Sequence, residues 1–351
     1  MNQDTKKAAV KRMYDYSFAA DMKWNRWFFD TIYRDEDVMV LEKDEKIVSS
    51  LFLQPYIFSF HEQPIGFAYI SGATTESHER HKGYMTELLK EALLKANDRG
   101  DALVGLVPAD THLFFFYDKL GFATIVYCDT ERYTSAHTFA MTEGFTLGEP
   151  TYDDFAAMES MRRATVIHSR QDFDNILYDI NHDDGVAVAV HDAEGLCRAM
   201  AFATATTREI HVKELLGSDP KAIEMALGHI KDSYADPLPI LINRPAAGNS
   251  PMLRARGMLR IVSVEKILEA LAAAFPNISR TIRVHDAIVE DNNRTYRIGK
   301  GLCEVFDYNY TGKLDLDVSV TVLTKILFSD SATGSIFELP TARPAMSLML
   351  D

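Results

Sequence analysis

The sequence predicts an α/β (α+β) protein: two successive copies of one mixed unit, followed by a small α+β tail. Three observations lead there. One order of helices, strands, amphipathic helix and buried-type strand occurs twice along the chain. From Met85 to Asn97, residues Met85, Leu88, Leu89, Ala92, Leu93 and Ala96 recur on a single helical face. The stretch from Asn277 onward abandons the repeated order. The expected domains are 1–140, 141–276 and 277–351.

In the first copy, one or two helices precede Asp37. A strand Val38 to Leu41 then turns at Lys43 to Lys46 into a second strand, Ile47 to Pro55. A third strand (Tyr56 to His61), a turn at Glu62 to Pro64 and a fourth strand (Ile65 to Thr75) follow. After the amphipathic helix comes a continuously apolar strand, Ala102 to Val107. A short aromatic helix, His112 to Leu120, stops at Gly121, and Phe122 to Cys128 is the final strand. The second copy has helical stretches Tyr152 to Arg163 and Arg170 to Ile180, then strands Gly185 to His191, Leu196 to Thr204 and Glu209 to Leu215. A helix Pro220 to Ser233, a strand Pro239 to Asn243 and a segment Pro251 to Arg256 ending at Gly257 complete it. The tail carries strands Thr281 to Asp286 and Arg294 to Gly299, an alternating stretch Leu314 to Val320 and a short helix near Leu323 to Phe328.

Composition excludes several classes. A length of 351 residues exceeds what one core usually organises. The 47% hydrophobic and 25% charged residues are those of an ordinary globular protein, with no span apolar enough for a membrane and no signal-type start. A cytoplasmic location is therefore expected. Cys128, Cys197 and Cys303 stand far apart without ligand spacing and read as free thiols in a reducing compartment. The eleven histidines show no metal spacing, so no metal is expected. A formal charge of -14 argues against a nucleic-acid surface, which needs Lys and Arg for phosphate, and suits a cationic small substrate.

The segment Ser71 to Glu87 carries the chemistry. A strand runs into a loop of Arg80, His81, Lys82 and Gly83 that opens the amphipathic helix. Unpaired N–H groups and the helix dipole make such an end an anion site, and a glycine there permits close backbone approach. The predicted binding residues for a pyrophosphate-bearing ligand are Arg80, His81, Lys82, Gly83, Tyr84, Met85 and Thr86.

Arg80-His-Lys-Gly83-Tyr-Met85 resembles the R-x-x-G-x-G/A loop of the GNAT superfamily of acyl-CoA N-acyltransferases, with Met85 at the second small position. Tyr117-Asp-Lys-Leu-Gly-Phe122 resembles the Y-x-x-x-G-F segment of the same superfamily. Two such units followed by an α+β tail resemble the enhanced intracellular survival (Eis) family, whose loop tolerates a larger residue where Met85 stands. Its third domain has a sterol-carrier-protein fold, and Thr281 to Asp286 with Asn292 to Arg297 looks like the first hairpin of that fold.

The resemblance implies an acetyl-CoA-dependent N-acetyltransferase acting on a primary amine of a cationic small molecule or a lysine-like acceptor. It makes Tyr117 the catalytic acid for the leaving thiolate and sets the thioester carbonyl against backbone N–H groups of Ala73, Thr74 and Thr75. It offers two bases: Glu76, at the end of the fourth strand, or the carboxylate terminus of Asp351 reaching into the first domain. It also implies a homo-oligomer, hexamers being known in the family. A non-catalytic CoA- or lipid-binding protein on the same scaffolds, or a transferase of longer acyl groups, are the other readings.

The second copy reads as degenerate. Asp219 and Pro220 form an N-cap and N1 pair, so a carboxylate already occupies the helix start, and Leu253 stands at the place of Tyr117. Trp24, Trp27, Phe28 and Phe29, with Asp21, Asp30, Asp35, Glu36 and Asp37 nearby, are either the wall of an acceptor cleft or ordinary helix packing beside a solvated loop.

Overall fold

Residues 38–75, rich in β-branched and aromatic side chains, build a three-stranded meander in the computed structural model, which describes residues 3–18, 21–246 and 253–350. Helices α1 (Gln3–Ser17) and α2 (Met22–Trp27) precede it, α2 continuing as a π turn over Phe28–Ile32. Strands β1 (Val38–Lys43), β2 (Lys46–Phe60) and β3 (Gln63–Thr75) pair antiparallel. Two expected strands merge in β2, because β1 reaches only to Phe52 and the missing N–H of Pro55 breaks no bond to it.

Helix α3 (Tyr84–Arg99) follows, with Leu88, Leu89, Ala92, Leu93 and Ala96 fully buried in the core of the first unit. This is the face read from the sequence. Strand β4 (Leu103–Leu106) lies parallel to β3, and α4 (Thr111–Asp118) leads to β5 (Ala123–Tyr133).

The chain then forms β6 (Phe145–Gly148), α5 (Tyr152–Glu159), β7 (Ala164–Ile167) and α6 (Arg170–His182). Next come β8 (Val186–Asp192), β9 (Cys197–Ala205), β10 (Ile210–Gly217), α7 (Pro220–Asp232) and β11 (Ile240–Pro245). The remainder is β12 (Leu253–Ile261), α8 (Val264–Ala274), β13 (Arg280–His285), β14 (Thr295–Gly299), β15 (Leu302–Phe306), β16 (Leu316–Ser319), α9 (Val320–Leu327) and α10 (Ser331–Phe337).

Two compact units result. One holds the described residues up to Ile125 and from Arg256 to Ala342, the other Val126–Ala255 and Arg343–Leu350. The first unit has the strand order β1-β2-β3-β4-β12, the second β8-β9-β10-β11-β5 with β6 beside β8. The pairings correspond step by step: antiparallel, antiparallel, parallel, antiparallel. Each unit closes its strand order on a strand from the other part of the chain. The final strand, expected at Phe122 to Cys128, runs on to Tyr133, and its residues 128–133 pair with β11, while Met258–Ile261 pair with β4.

The tail forms a separate sheet in the order β15-β14-β13-β16, whose β13–β14 hairpin matches the sequence expectation. Its helix α9 begins earlier than expected, because the Ser319 side chain caps it by accepting from the N–H of Val322.

Candidate active site

The loop after β3 leads into α3 through Gly83, whose φ of +85 lies in the left-handed region. No side chain caps the helix, and a Cβ at Gly83 would meet nothing within 4 Å. The N–H groups of Tyr84, Met85 and Thr86 have no partner within α3 itself. Such a helix start suits an anion. Arg80 ties the loop to the strand by donating from Nε to the Thr75 carbonyl at 3.2 Å. Lys82 bonds the Glu79 carboxylate at 2.9 Å, a hydrogen bond that holds Glu79 below the usual carboxylate range.

The end of β3 is splayed. Its pairing with β4 stops at Ile70 and Leu106. Across from Leu51 the register slips from Ser50–Thr74 to Phe52–Ser71, so Gly72 and Ala73 bulge opposite one residue. Gly72 has φ +55, and a Cβ there would come within 2.6 Å of the Phe52 ring, so no larger residue fits. Thr74 and Thr75 engage their hydroxyls with Ser17 (2.5 Å) and Ser49 (2.8 Å). Their backbone, past the last β4 partner, faces the cleft.

Helix α4 completes the site. Asp110 accepts from the Thr111 N–H at 2.7 Å, and residues 112, 113, 116 and 117 form the face that lines the cleft. Phe115 points away and is 74% exposed. Tyr117 is 7% exposed, between Phe116 and Phe122, and burial pushes its phenol up to about 12. The end of α4 is held from below. Arg260 on β12, only 1% exposed, donates to the Leu120 carbonyl (2.8 Å) and pairs with buried Asp286 at 2.6 Å. Asp286 also accepts from the N–H groups of Ile288 and Val289 and from Asn292.

These elements enclose a cleft of about 800 Å³ in the first unit. Of the residues expected from sequence, Ala73, Thr74, Thr75, Arg80, His81, Met85 and Tyr117 line it, while Lys82, Gly83, Tyr84 and Thr86 sit at the helix start outside that lining. Glu76 is not part of the lining, and its carboxylate bonds Arg12 at 2.7 Å. Asp351 falls outside the described residues.

The aromatic cluster ahead of β1 is packing. Phe28 and Phe29 are buried against Tyr14 and Phe52, Asp21 caps α2, and Asp35 takes Lys6 and the Tyr33 hydroxyl. From that region Tyr14, Ser17 and Phe18 reach the cleft instead. Sequence reading passed over these, and over Arg260 and Asp286. The one signal was an arginine inside the apolar run Met258 to Val262.

In the second unit Asp219 caps α7, accepting from the N–H groups of Lys221 (2.8 Å) and Ala222 (3.3 Å), as its sequence suggests. Leu253 is different: it opens a strand, so it does not stand on a counterpart of α4.

Residues 2–125 match the family described as Acetyltransferase (GNAT) domain. A comparison with curated proteins finds no match. Among solved structures, a conserved protein of unknown function from Enterococcus faecalis, described as a probable N-acyltransferase, has a TM-score of 0.81 at 15% identity, covering 99% of this chain and 97% of that one. The GCN5-related N-acetyltransferase from Anabaena variabilis gives 0.77 at 15% identity, over 98% and 97%. Eis1 from Mycobacterium abscessus gives 0.70 at 13%, over 97% and 92%. At these identities the likeness is one of fold.

Proposed function

We propose, from the premise that residues 2–125 form a GNAT acetyltransferase domain, that this chain moves the acetyl group of acetyl-CoA to a primary amine of a small cationic or lysine-like acceptor. One observation carries the reading: the glycine-capped start of α3 opens beside the bulged end of β3 and the buried phenol of Tyr117. The residues present suit the co-substrate. The N–H groups of Tyr84 to Thr86 and the charge of Arg80 match a pyrophosphate, and the open backbone at Ala73 to Thr75 matches an extended amide-bearing arm. Acetyl-CoA supplies the activated thioester; the chain supplies position and protons. Backbone N–H groups of the splayed strand stabilise charge developing on the carbonyl oxygen. A phenol with a pKa near 12 stays protonated at neutral pH, so Tyr117 donates to the departing sulfur. Glu76 and Asp351 are the candidates for taking the proton of the amine. The charge of -14 favours cationic acceptors at long range. The same reading makes the chain a cytoplasmic homo-oligomer with a sterol-carrier-like tail, and a monomer in sedimentation at micromolar concentration would count against that part.

Release of CoA thiol, measured with acetyl-CoA against a panel of amines, tests the activity. Amine-dependent release is expected, greatest for polycations and weakened by salt; no release with any amine would defeat the reading. Binding has its own test. Acetyl-CoA should raise the melting temperature of the native chain, by about 2.7 kcal/mol of added stability at a hundredfold excess over Kd. In Gly83→Asp the new carboxylate would take the open N–H groups and repel the pyrophosphate, so the shift should vanish; an undiminished shift would remove the helix start from the site. Calorimetry should count one acetyl-CoA per chain, because Asp219 fills the equivalent position in the second unit. Two equivalent sites would contradict this.

A further inference from the structure

The second unit contains a cluster that acetyl transfer does not use. Asp154, His191 and Cys197 bring one carboxylate oxygen, one imidazole nitrogen and one sulfur within 4.8 Å of one another. The sequence hides this, since the three come from different elements. His191 and Cys197 stand directly opposite across the β8–β9 hairpin. The register slips there, from Val190–Ala199 to His191–Cys197, so Arg198 is an extra residue; in an unbroken ladder His191 would face Arg198 instead of the thiol. Asp154 comes from the first turn of α5. Its Oδ2 accepts from the Thr151 hydroxyl at 2.7 Å and lies 3.1 Å from His191 Nε2. His191 and Asp154 are 20% and 27% exposed, and Cys197 is half-buried, so the cluster is shielded yet within reach of solvent.

We propose that these three side chains form a site for a divalent transition metal, zinc by preference, with water in the fourth position. A mixed N, O and S donor set suits zinc and not magnesium or calcium, which take oxygen ligands. Tetrahedral zinc with such ligands places its donor atoms roughly 3.3–3.8 Å apart; His191 Nε2 and Asp154 Oδ2 lie 3.1 Å apart and all three donors fall within 4.8 Å of one another. Thr151 acts as the outer partner that orients the carboxylate. On binding, the Cys197 thiol gives its proton to solvent as the sulfur–zinc bond forms. The ion ties α5 to the β8–β9 hairpin.

Cobalt(II) reports the geometry. The intact chain, titrated with Co²⁺, should take one ion and develop thiolate-to-cobalt charge transfer in the near ultraviolet with the intense visible bands of tetrahedral cobalt. Zn²⁺ should displace it. Cys197→Ser should lose the charge-transfer band while Cys128 and Cys303 remain, and His191→Ala should lose the bound ion. Thr151→Ala should weaken zinc binding by about tenfold. The metal-free melting curves of the variants control for folding. Equal uptake in wild type and both ligand variants, or the weak spectrum of octahedral cobalt without charge transfer, would overturn the site and leave only an Asp154–His191 pair beside a helix cap. The readout is independent of acetyl transfer.

Discussion

Tyr117→Phe should lower kcat by about 10²–10⁴-fold while acetyl-CoA affinity stays nearly intact. In the proposed mechanism the hydroxyl would act on the departing sulfur in the transition state, whereas the co-substrate would be held by backbone groups at Ala73 to Thr75 and at the start of α3. The ring itself packs between Phe116 and Phe122, and Phe preserves those contacts. A core aromatic without a chemical role would therefore leave the rate unchanged. The pH profile separates the cases further. Burial raises the phenol from 10.0 to about 12, so the protonated donor persists through the neutral and mildly alkaline range. No alkaline fall in kcat assignable to Tyr117 should appear before about pH 11. A limb near 10 in wild type, lost in the Phe variant, would mean that the phenol titrates as an exposed one.

The second large effect is on stability. Asp286→Ala should cost about 3–5 kcal/mol, because it leaves the Arg260 guanidinium buried without its counter-charge. It also strips the N–H groups of Ile288 and Val289 of their acceptor. Replacing the pair together, as Arg260→Met with Asp286→Leu, should recover only part of the loss, since the Leu120 carbonyl and those two N–H groups remain unsatisfied. Urea midpoints with unchanged slope would measure both. A cost below about 1 kcal/mol for Asp286→Ala would show that the network does not support the end of α4.

The local parts of the structure were legible. The buried face of α3, the N-cap at Asp219 and the β13–β14 hairpin each follow from residues within a few positions of one another, and the structure has all three. The rest depends on distant partners. The sequence marks a strand at Phe122 to Cys128 but carries no sign of its run to Tyr133 or of its partner strand, and so the exchange with β12 is not legible there. Pro55 looked like a strand end because only its neighbours could be seen, not the length of β1. Of the candidate site, Tyr117 on the cleft and Gly83 at the start of α3 could be read from motif and context, whereas Ser17 and Phe18 reach the cleft, and Arg260 the end of α4, through tertiary packing. The bulge at Gly72 and Ala73, which opens the strand toward the cleft, had no local signature beyond the glycine itself.

The most direct test of acetyl transfer is to incubate the purified chain with acetyl-CoA and a polyamine and to identify the acceptor product by mass spectrometry while counting released thiol. The account predicts one N-acetylated amine per thiol in wild type, with the product nearly absent in Tyr117→Phe and in Gly83→Asp. Stoichiometric binding of acetyl-CoA without an acetylated product from any amine would contradict it and make the cleft a CoA-binding site without transfer.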